Sequence, residues 1–293
     1  MTLSSTFTLI DPQNGNLAFK LFTFDDGSTF DHIQRLNYYS LIWVQEGKGN
    51  AKVETTQFDF NANTLFSFVP YQPFMLKAEK EFKGVVINFH PDFFCIHKHH
   101  KEVACHGVLF NNVYNPPCIS LDETAANTFS TLIDQMKTEM KHPALAQYEL
   151  LVSYLKIFLI NASRLKKVQQ PETIATTAEQ KEPFILQNLK DAIEKDFKTK
   201  HSASDYAEAL NISAKALAKI TKNYFNKTLT DLIAERIIIE AKRELYLTSK
   251  TVKEIAHGLG YQDEYYFSRF FKANADVSPQ LYRETVGFAR AEV

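Results

Sequence analysis

Two short segments near the C-terminal end carry side chains whose types and spacing suit hydrogen bonding to base-pair edges. In the first, Lys215 and Lys219 lie one helical turn apart; in the second, Glu264, Tyr265, Ser268 and Arg269 fill the corresponding stretch. An arginine can bond a guanine edge through two parallel N–H groups, and a lysine can reach either a base or a phosphate. Ser213, Lys222 and Lys272, towards the ends of the two segments, are better placed for phosphate oxygens. Taken singly, each cation reads as a solvated surface charge. Their weight comes from the elements that must carry them.

Those elements are written twice. Shifting the C-terminal region along itself by about 50 residues aligns Leu217 with Phe267, Lys219 with Arg269, Ile220 with Phe270, Lys222 with Lys272 and Asn226 with Asp276. Upstream the second copy has one extra residue, so that Ala207 aligns with Ala256 and Leu210 with Leu259. Each copy opens on a capping signal, Ser202-x-x-Asp205 or Thr251-x-x-Glu254, and carries a small residue where another helix must pack close. A turn follows in which Asn211 or Gly260 can adopt positive φ, and Ser213 or Asp263 caps the next helix. That grammar predicts two helix-turn-helix units. Between them Thr230 to Leu247 runs without Gly or Pro. It predicts a rod of about 27 Å at ~1.5 Å per residue, against a B-DNA turn of roughly 34 Å.

Composition agrees with two domains. The 293 residues are 45% hydrophobic, enough for a core in each half. Net charge is −1, with 16 basic and 19 acidic residues up to Pro183 and 17 and 15 beyond it. The mildly basic C-terminal half is compatible with nucleic acid without arguing for it. Cys95, Cys105 and Cys118 form no C-x-x-C pair and leave an odd thiol, which suits a reducing compartment. No signal peptide or membrane-spanning run is read, so the expectation is a cytoplasmic protein with no membrane partner.

The N-terminal half reads as β structure. Runs at Leu17–Phe24, Tyr38–Gln45, Ala51–Thr56, Leu65–Val69 and Gly84–Phe89 are broken by Gly, Asn, Asp and Pro. Short strands at that spacing predict a barrel or jelly roll. From about residue 122 the period becomes helical. Asp122-Glu123 caps a helix bearing Phe129, Leu132, Ile133 and Met136; after His142-Pro143 comes a second, with Leu150, Leu151, Tyr154, Leu155, Phe158 and Leu159. Two such helices form a dimer seam or cover one open face of the barrel. Residues 166–183 lack periodicity and read as a linker.

The stretch Ile255-Ala256-His257-Gly258-Leu259-Gly260-Tyr261, continued by Tyr266-Phe267-Ser268-Arg269-Phe270-Phe271-Lys272 and Ser278-Pro279-Gln280-Leu281-Tyr282-Arg283, resembles the AraC-type (AraC/XylS) bacterial transcription regulators. The resemblance covers roughly Phe184 to Glu284. It implies a seven-helix DNA-binding domain with the base-reading and phosphate candidates on its recognition helices. Where the family commonly has Gly at the end of each recognition helix, this chain has Asn226 and Asp276, the non-glycine types that best tolerate a left-handed cap. Ala214, Ala216 and Ala218 leave the first recognition helix few groups for bases.

The N-terminal half is similar, less specifically, to the cupin-like sensor domain of such regulators. In that comparison Gly47-Lys48-Gly49 is a hairpin turn, Pro70 to Phe74 a strand-end turn, and Tyr39, Leu41 and Trp43 line an effector pocket. The expected fold is therefore α+β with two domains. Residues 1–165 form a cupin-like β-barrel with a two-helix dimerisation segment, 166–183 the linker, and 184–293 an all-α domain with two helix-turn-helix units. The implied partners are double-stranded DNA, a second copy of the chain, a candidate small-molecule effector, and RNA polymerase in the case of an activator.

Two rival readings use the N-terminal half. His90, Cys95, His97, His99, His100, Cys105 and His106 crowd 17 positions and could hold zinc or copper in a metal-responsive regulator, although the spacings match no standard zinc pattern. A cupin metalloenzyme fused to a DNA-binding domain would need His and carboxylate ligands on adjacent strands, and the strands after Gly47 supply Ala51-Lys52-Val53-Glu54 instead. No nucleophilic triad, Walker loop or dinucleotide motif is present, so the chain is read as a non-enzyme without a cofactor.

Overall fold

Short runs rich in aromatic and β-branched residues make strands, and nine form: β1 (Thr6–Ile10), β2 (Leu17–Phe24), β3 (Tyr39–Glu46), β4 (Gly49–Val53), β5 (Thr56–Phe60), β6 (Thr64–Phe68), β7 (Phe74–Ala78), β8 (Lys83–Phe89) and β9 (Cys118–Ser120). This count is of residues 6–11, 15–99, 103, 107–169 and 181–287, which the computed structural model describes. All pairings are antiparallel. A six-stranded sheet has the order β1-β2-β8-β3-β6-β9, and a three-stranded sheet the order β5-β4-β7. Two helices follow, α1 (Glu123–Lys141) and α2 (Gln147–Gln169). Asp122 caps α1 by accepting from the Ala125 N–H at 2.8 Å.

Each face of the large sheet covers its own core. One face meets the small sheet over an interior filled by Phe24, Phe30, Phe60, Phe66, Phe68, Phe74 and Phe82. The other packs against α1 and α2, through Phe129, Met136, Leu151, Leu155 and Phe158. Tyr39, Leu41 and Trp43 belong to this second core, with Trp43 against Phe129 at 6.5 Å between ring centres. They therefore lie on the face of the sheet that α1 and α2 cover, away from the small sheet. Strand β3 is buried from Tyr39 to Val44 on both faces, so alternation says which residues share a face but not which core that face meets.

A correction concerns the expected hairpin at Gly47-Lys48-Gly49. β3 and β4 lie in different sheets, so this segment is a corner between them. Gly47 has φ +110°, and a Cβ there would collide with the carbonyl oxygen of Glu81. The hairpin is the next one, in which Val53 pairs with Thr56 around Glu54 at φ 52°. Pro70 to Pro73 does turn between β6 and β7, the Gln72 N–H donating to the Val69 carbonyl at 3.1 Å.

The segment expected as a linker is helical at both ends, since α2 continues to Gln169 and the next helix starts at Lys181. Lys166 is buried, and its ammonium donates to the carbonyls of Pro116 at 2.5 Å and Cys118 at 2.6 Å. Burial pushes its pKa below the usual lysine value. Gln169 exchanges two hydrogen bonds with the Ser120 backbone, at 3.0 and 2.6 Å. These contacts, rather than helical propensity, hold the last turn to β9.

The chain divides into two units, Met1–Asn112 with Pro116–Gln169, and Val113–Asn115 with Gln170–Val293. Helices in the second are α3 (Lys181–Asp196), α4 (Ala203–Ala209), α5 (Ala214–Phe225), α6 (Leu229–Leu247), α7 (Val252–Gly258), α8 (Glu264–Ala275) and α9 (Pro279–Val286). The N-terminal unit is sheet-rich and the C-terminal unit helical. No described helix is long and apolar enough to cross a membrane.

Candidate nucleic-acid interface

The helix pairs α4–α5 and α7–α8 are built by the same local chemistry. Ser202 accepts from the Asp205 N–H at 3.3 Å while the Asp205 carboxylate accepts from the Ser202 N–H at 3.1 Å. Thr251 and Glu254 make the same reciprocal bonds at 3.2 and 2.7 Å. The bonds from the Thr251 backbone and hydroxyl hold the Glu254 carboxyl below its ordinary pKa.

The turns then match bond for bond. In the first, Leu210 donates to Tyr206, Asn211 to Glu208 and Ile212 to Ala207, at 3.0, 3.0 and 3.1 Å; in the second, Leu259 donates to Ile255, Gly260 to His257 and Tyr261 to Ala256, at 3.0, 3.0 and 2.9 Å. Asn211 and Gly260 have φ of 53° and 84°. The extra residue of the second copy, Gln262, falls between the last of these bonds and the cap Asp263, where it disturbs neither helix. Ser213 caps α5 by accepting from Ala216 at 3.2 Å, and Asp263 caps α8 by accepting from Tyr265 at 2.8 Å. Both second helices end on a left-handed residue, Asn226 at φ 53° and Asp276 at φ 61°, as the side-chain types led one to expect.

In α5 the buried positions are Leu217 and Thr221, and in α8 Phe267, Phe271 and Ala275. At about 100° per residue, the face pointing away carries Lys215, Lys219 and Lys222 on α5, and Tyr265, Arg269 and Lys272 on α8. All six are exposed. Tyr265 is 69% exposed, too open for a core aromatic. Glu264 and Ser268 are half-buried on the flank of α8, turned towards the Phe267 side. The Lys222 ammonium donates to the Asn226 carbonyl at 3.1 Å. The Ser213 hydroxyl is already an acceptor for its own helix, leaving its proton for another partner.

Helix α6, about 28 Å long for its 19 residues, is the spine between the pairs. A capping box at Thr228 and Asp231 starts it. Its Glu240 is buried among Lys198, Arg236 and Arg243, at 3.4, 3.6 and 3.2 Å. Burial acts to raise the Glu240 pKa, but the two arginines and the lysine outweigh it and hold the carboxyl below its usual value. Two supports had no assigned role in the sequence reading. Arg283 on α9 donates to the carbonyls of Leu245 and Lys250, at 3.0 and 2.7 Å, fixing the junction of α6 and α7. His201, before α4, stacks on Tyr261 at 4.7 Å and so joins the second turn to the first pair. Arg283 ends the stretch Ser278-Pro279-Gln280-Leu281-Tyr282-Arg283, and its place there was the available signal; nothing in the sequence marks His201.

The histidine and cysteine cluster lies elsewhere. His90 is buried with Nδ1 3.4 Å from the Asp92 carboxylate, Cys95 is buried, and the His99 ring stacks on Phe94 at 4.9 Å. His100, Cys105 and His106 lie outside the described residues. Among the described residues no group of three or more His, Cys, Asp or Glu could hold a metal ion.

Residues 206–285 match the family model of a helix-turn-helix domain. The raffinose operon transcriptional regulatory protein RafR of Pediococcus pentosaceus is 28% identical over 95 residues, covering 32% of this chain and 34% of that one. The HTH-type transcriptional activator Btr of Bacillus subtilis (strain 168) is 36% identical over 84 residues, 29% of this chain and 16% of that one. The chain therefore spans about a third and a sixth of these two relatives. An apo form of ToxT from Vibrio cholerae strain SCE256, carrying one substitution, aligns with 93% of this chain and 99% of its own at 15% identity, with a TM-score of 0.41, too low to establish a common fold.

Proposed function

Since the chain carries an AraC-type helix-turn-helix domain, we propose that it is a transcription regulator that binds specific sequences of double-stranded DNA through two helix-turn-helix units. α5 and α8 are the recognition helices. The observation that carries this reading is the matched pair of exposed faces, Lys215-Lys219-Lys222 and Tyr265-Arg269-Lys272, on helices entered through the same turn and joined by the unbroken helix α6.

Within this reading Arg269 and Tyr265 contact base edges, the first bidentate to guanine and the second against a thymine methyl. Lys215 and Lys219 reach bases or phosphates, Ser213, Lys222 and Lys272 hold phosphates, and Glu264 and Ser268 lie at the edge of the contact. The N-terminal unit acts as a cupin-like sensor and dimerisation domain. Leu150 and Ile157, 38% and 45% exposed at one spacing on α2, give a second copy an apolar stripe to meet. Tethering two DNA-binding domains raises the effective concentration of the second contact. An effector acts by favouring one domain arrangement over another, and RNA polymerase is a partner if the protein activates. The reading is of a cytoplasmic non-enzyme.

The test is selection of duplexes from a random pool by the full-length protein at near-physiological salt. Enrichment of a motif one or two helical turns long is the expected result. Recovery of unenriched sequence by folded protein would overturn sequence-specific binding.

A further inference from the structure

The inner face of the six-stranded sheet, apolar over most of its area, ends in a polar row. On β2, Phe19 and Leu21 point into the core under α1 and α2, as do Ile87 and Phe89 on β8 and Tyr39 and Leu41 on β3. Lys20, Asn88 and Ser40 alternate with them and therefore face the small sheet. They are register partners: Lys20 lies opposite Asn88, and Asn88 opposite Ser40. Directly opposed side chains are about 5 Å apart at Cβ, so the three functional groups form one line across three adjacent strands.

Two of the three are buried with a side-chain oxygen that has no hydrogen-bond partner. Ser40 is 1% exposed and Asn88 6%, and neither the Ser40 hydroxyl nor the Asn88 carbonyl oxygen is paired. Buried polar groups are nearly always paired, and two orphans side by side in a Phe-lined interior call for an occupant. Lys20, half-buried at the rim, makes no ion pair among the described residues; its ammonium lies 4.7 Å over the Phe22 ring. Phe68 closes the other end of the row, opposite Ser40. The line thus offers an ammonium, an amide and a hydroxyl between two aromatic rings.

We infer that Lys20, Asn88 and Ser40 form the polar end of a binding site for a short-chain organic acid. This rests on the reading of the N-terminal unit as a sensor and names the chemistry of what it senses. The carboxylate pairs with the Lys20 ammonium and accepts from the Asn88 amide N–H and the Ser40 hydroxyl. A hydroxyl on the ligand donates to the Asn88 carbonyl oxygen, and the short apolar stem lies against Phe22. The ammonium selects acids over neutral amides and alcohols of the same shape, because only an anion makes the charge-assisted bond.

The test titrates full-length protein with acetate, butyrate, lactate and succinate, and with lactamide as the uncharged control. It reads thermal unfolding and the fluorescence of Trp43, the sole tryptophan, which sits on the same strand as Ser40. Saturable stabilisation by at least one acid and none by lactamide is expected. Lys20→Met should weaken that binding about tenfold or more, the equivalent of one lost charged contact. Ser40→Ala and Asn88→Leu should weaken it several-fold; should either fail to fold, Lys20→Met at the rim still decides. If no acid saturates, or Lys20→Met binds as tightly as the parent, the orphans hold ordered water only and the proposal is overturned. DNA binding is measured on the same samples. Its retention confines a failure to this site, and its loss with acid binding intact would count against the regulator reading alone.

Discussion

The helix pairs α4–α5 and α7–α8 share caps, turn hydrogen bonds and left-handed exits, yet their outward faces differ in kind. α5 shows three lysines beside the exposed Ala214, Ala216 and Ala218, whereas α8 shows a tyrosine, an arginine and a lysine. Lysine is a flexible, strongly hydrated point charge. The guanidinium of arginine is a planar fork that matches a base edge. The first pair is therefore suited to sequence-independent attraction and the second to reading. The turns differ too: Asn211 meets the left-handed requirement with a side chain, but at Gly260 a Cβ would run into the carbonyl of Lys198. The second pair is the less tolerant of change in both backbone and face.

The backbone contrast should give the largest effect. Gly260→Ala combines φ of 84° with a backbone collision and should cost about 3 kcal/mol, while Asn211→Ala should cost about 1 kcal/mol. Both are read from the far-ultraviolet dichroism of the chain during urea unfolding, with the fluorescence of Trp43 reporting the sheet-rich unit separately. Equal losses would remove the distinction between the turns.

Next comes the contrast between faces. Arg269→Ala should cost about 1–3 kcal/mol at the selected site and much less on random duplex, whereas Lys219→Ala should weaken both alike. Competition titrations measure this, and a sequence-selective loss at Lys219 would reverse the division of labour. Lys222→Ala and Lys272→Ala should each flatten the plot of log affinity against log salt by about 0.9; an unchanged slope at either removes it from the phosphate contacts.

The smallest effects are at the caps. Ser202→Ala and Thr251→Ala should each cost about 1 kcal/mol. Glu254 has a carboxyl held below its ordinary pKa by Thr251. Its contribution is therefore present above the unfolded glutamate value and lost as pH falls through the lowered folded value. The penalty of Thr251→Ala, followed by thermal unfolding, should shrink across that acidic window.

The C-terminal unit was legible almost residue by residue because its signals are local. Caps, left-handed positions and helical spacing each involve a few neighbouring residues, and the duplication displays them twice. In the N-terminal unit β2 was read with its observed ends, but β1, β5, β7 and β9 were not read as strands, and the run Ala51–Thr56 passes through the turn between β4 and β5. β9 has three residues, and Phe74–Ala78 contains Met, Leu, Lys and Ala, which favour helix as readily as strand. Whether a glycine turn returns within one sheet or crosses to another depends on distant partners, here the Glu81 carbonyl against Gly47. For Tyr39, Leu41 and Trp43 the difficulty was that both faces of β3 are buried, which erases the polar half of the alternation. The row Lys20, Asn88 and Ser40 lies on three strands and is visible only once their register is known.

The spine α6 also sets an angular phase. Because it is one unbroken helix from Leu229 to Leu247, inserting a single residue would turn the second pair by about 100° about the helix axis while moving it only ~1.5 Å along. Inserting seven would nearly restore the angle, with an advance of about 10 Å. The tolerance of this domain to length changes is thus periodic, and an insertion series in α6 would leave its mark as an oscillation in DNA affinity.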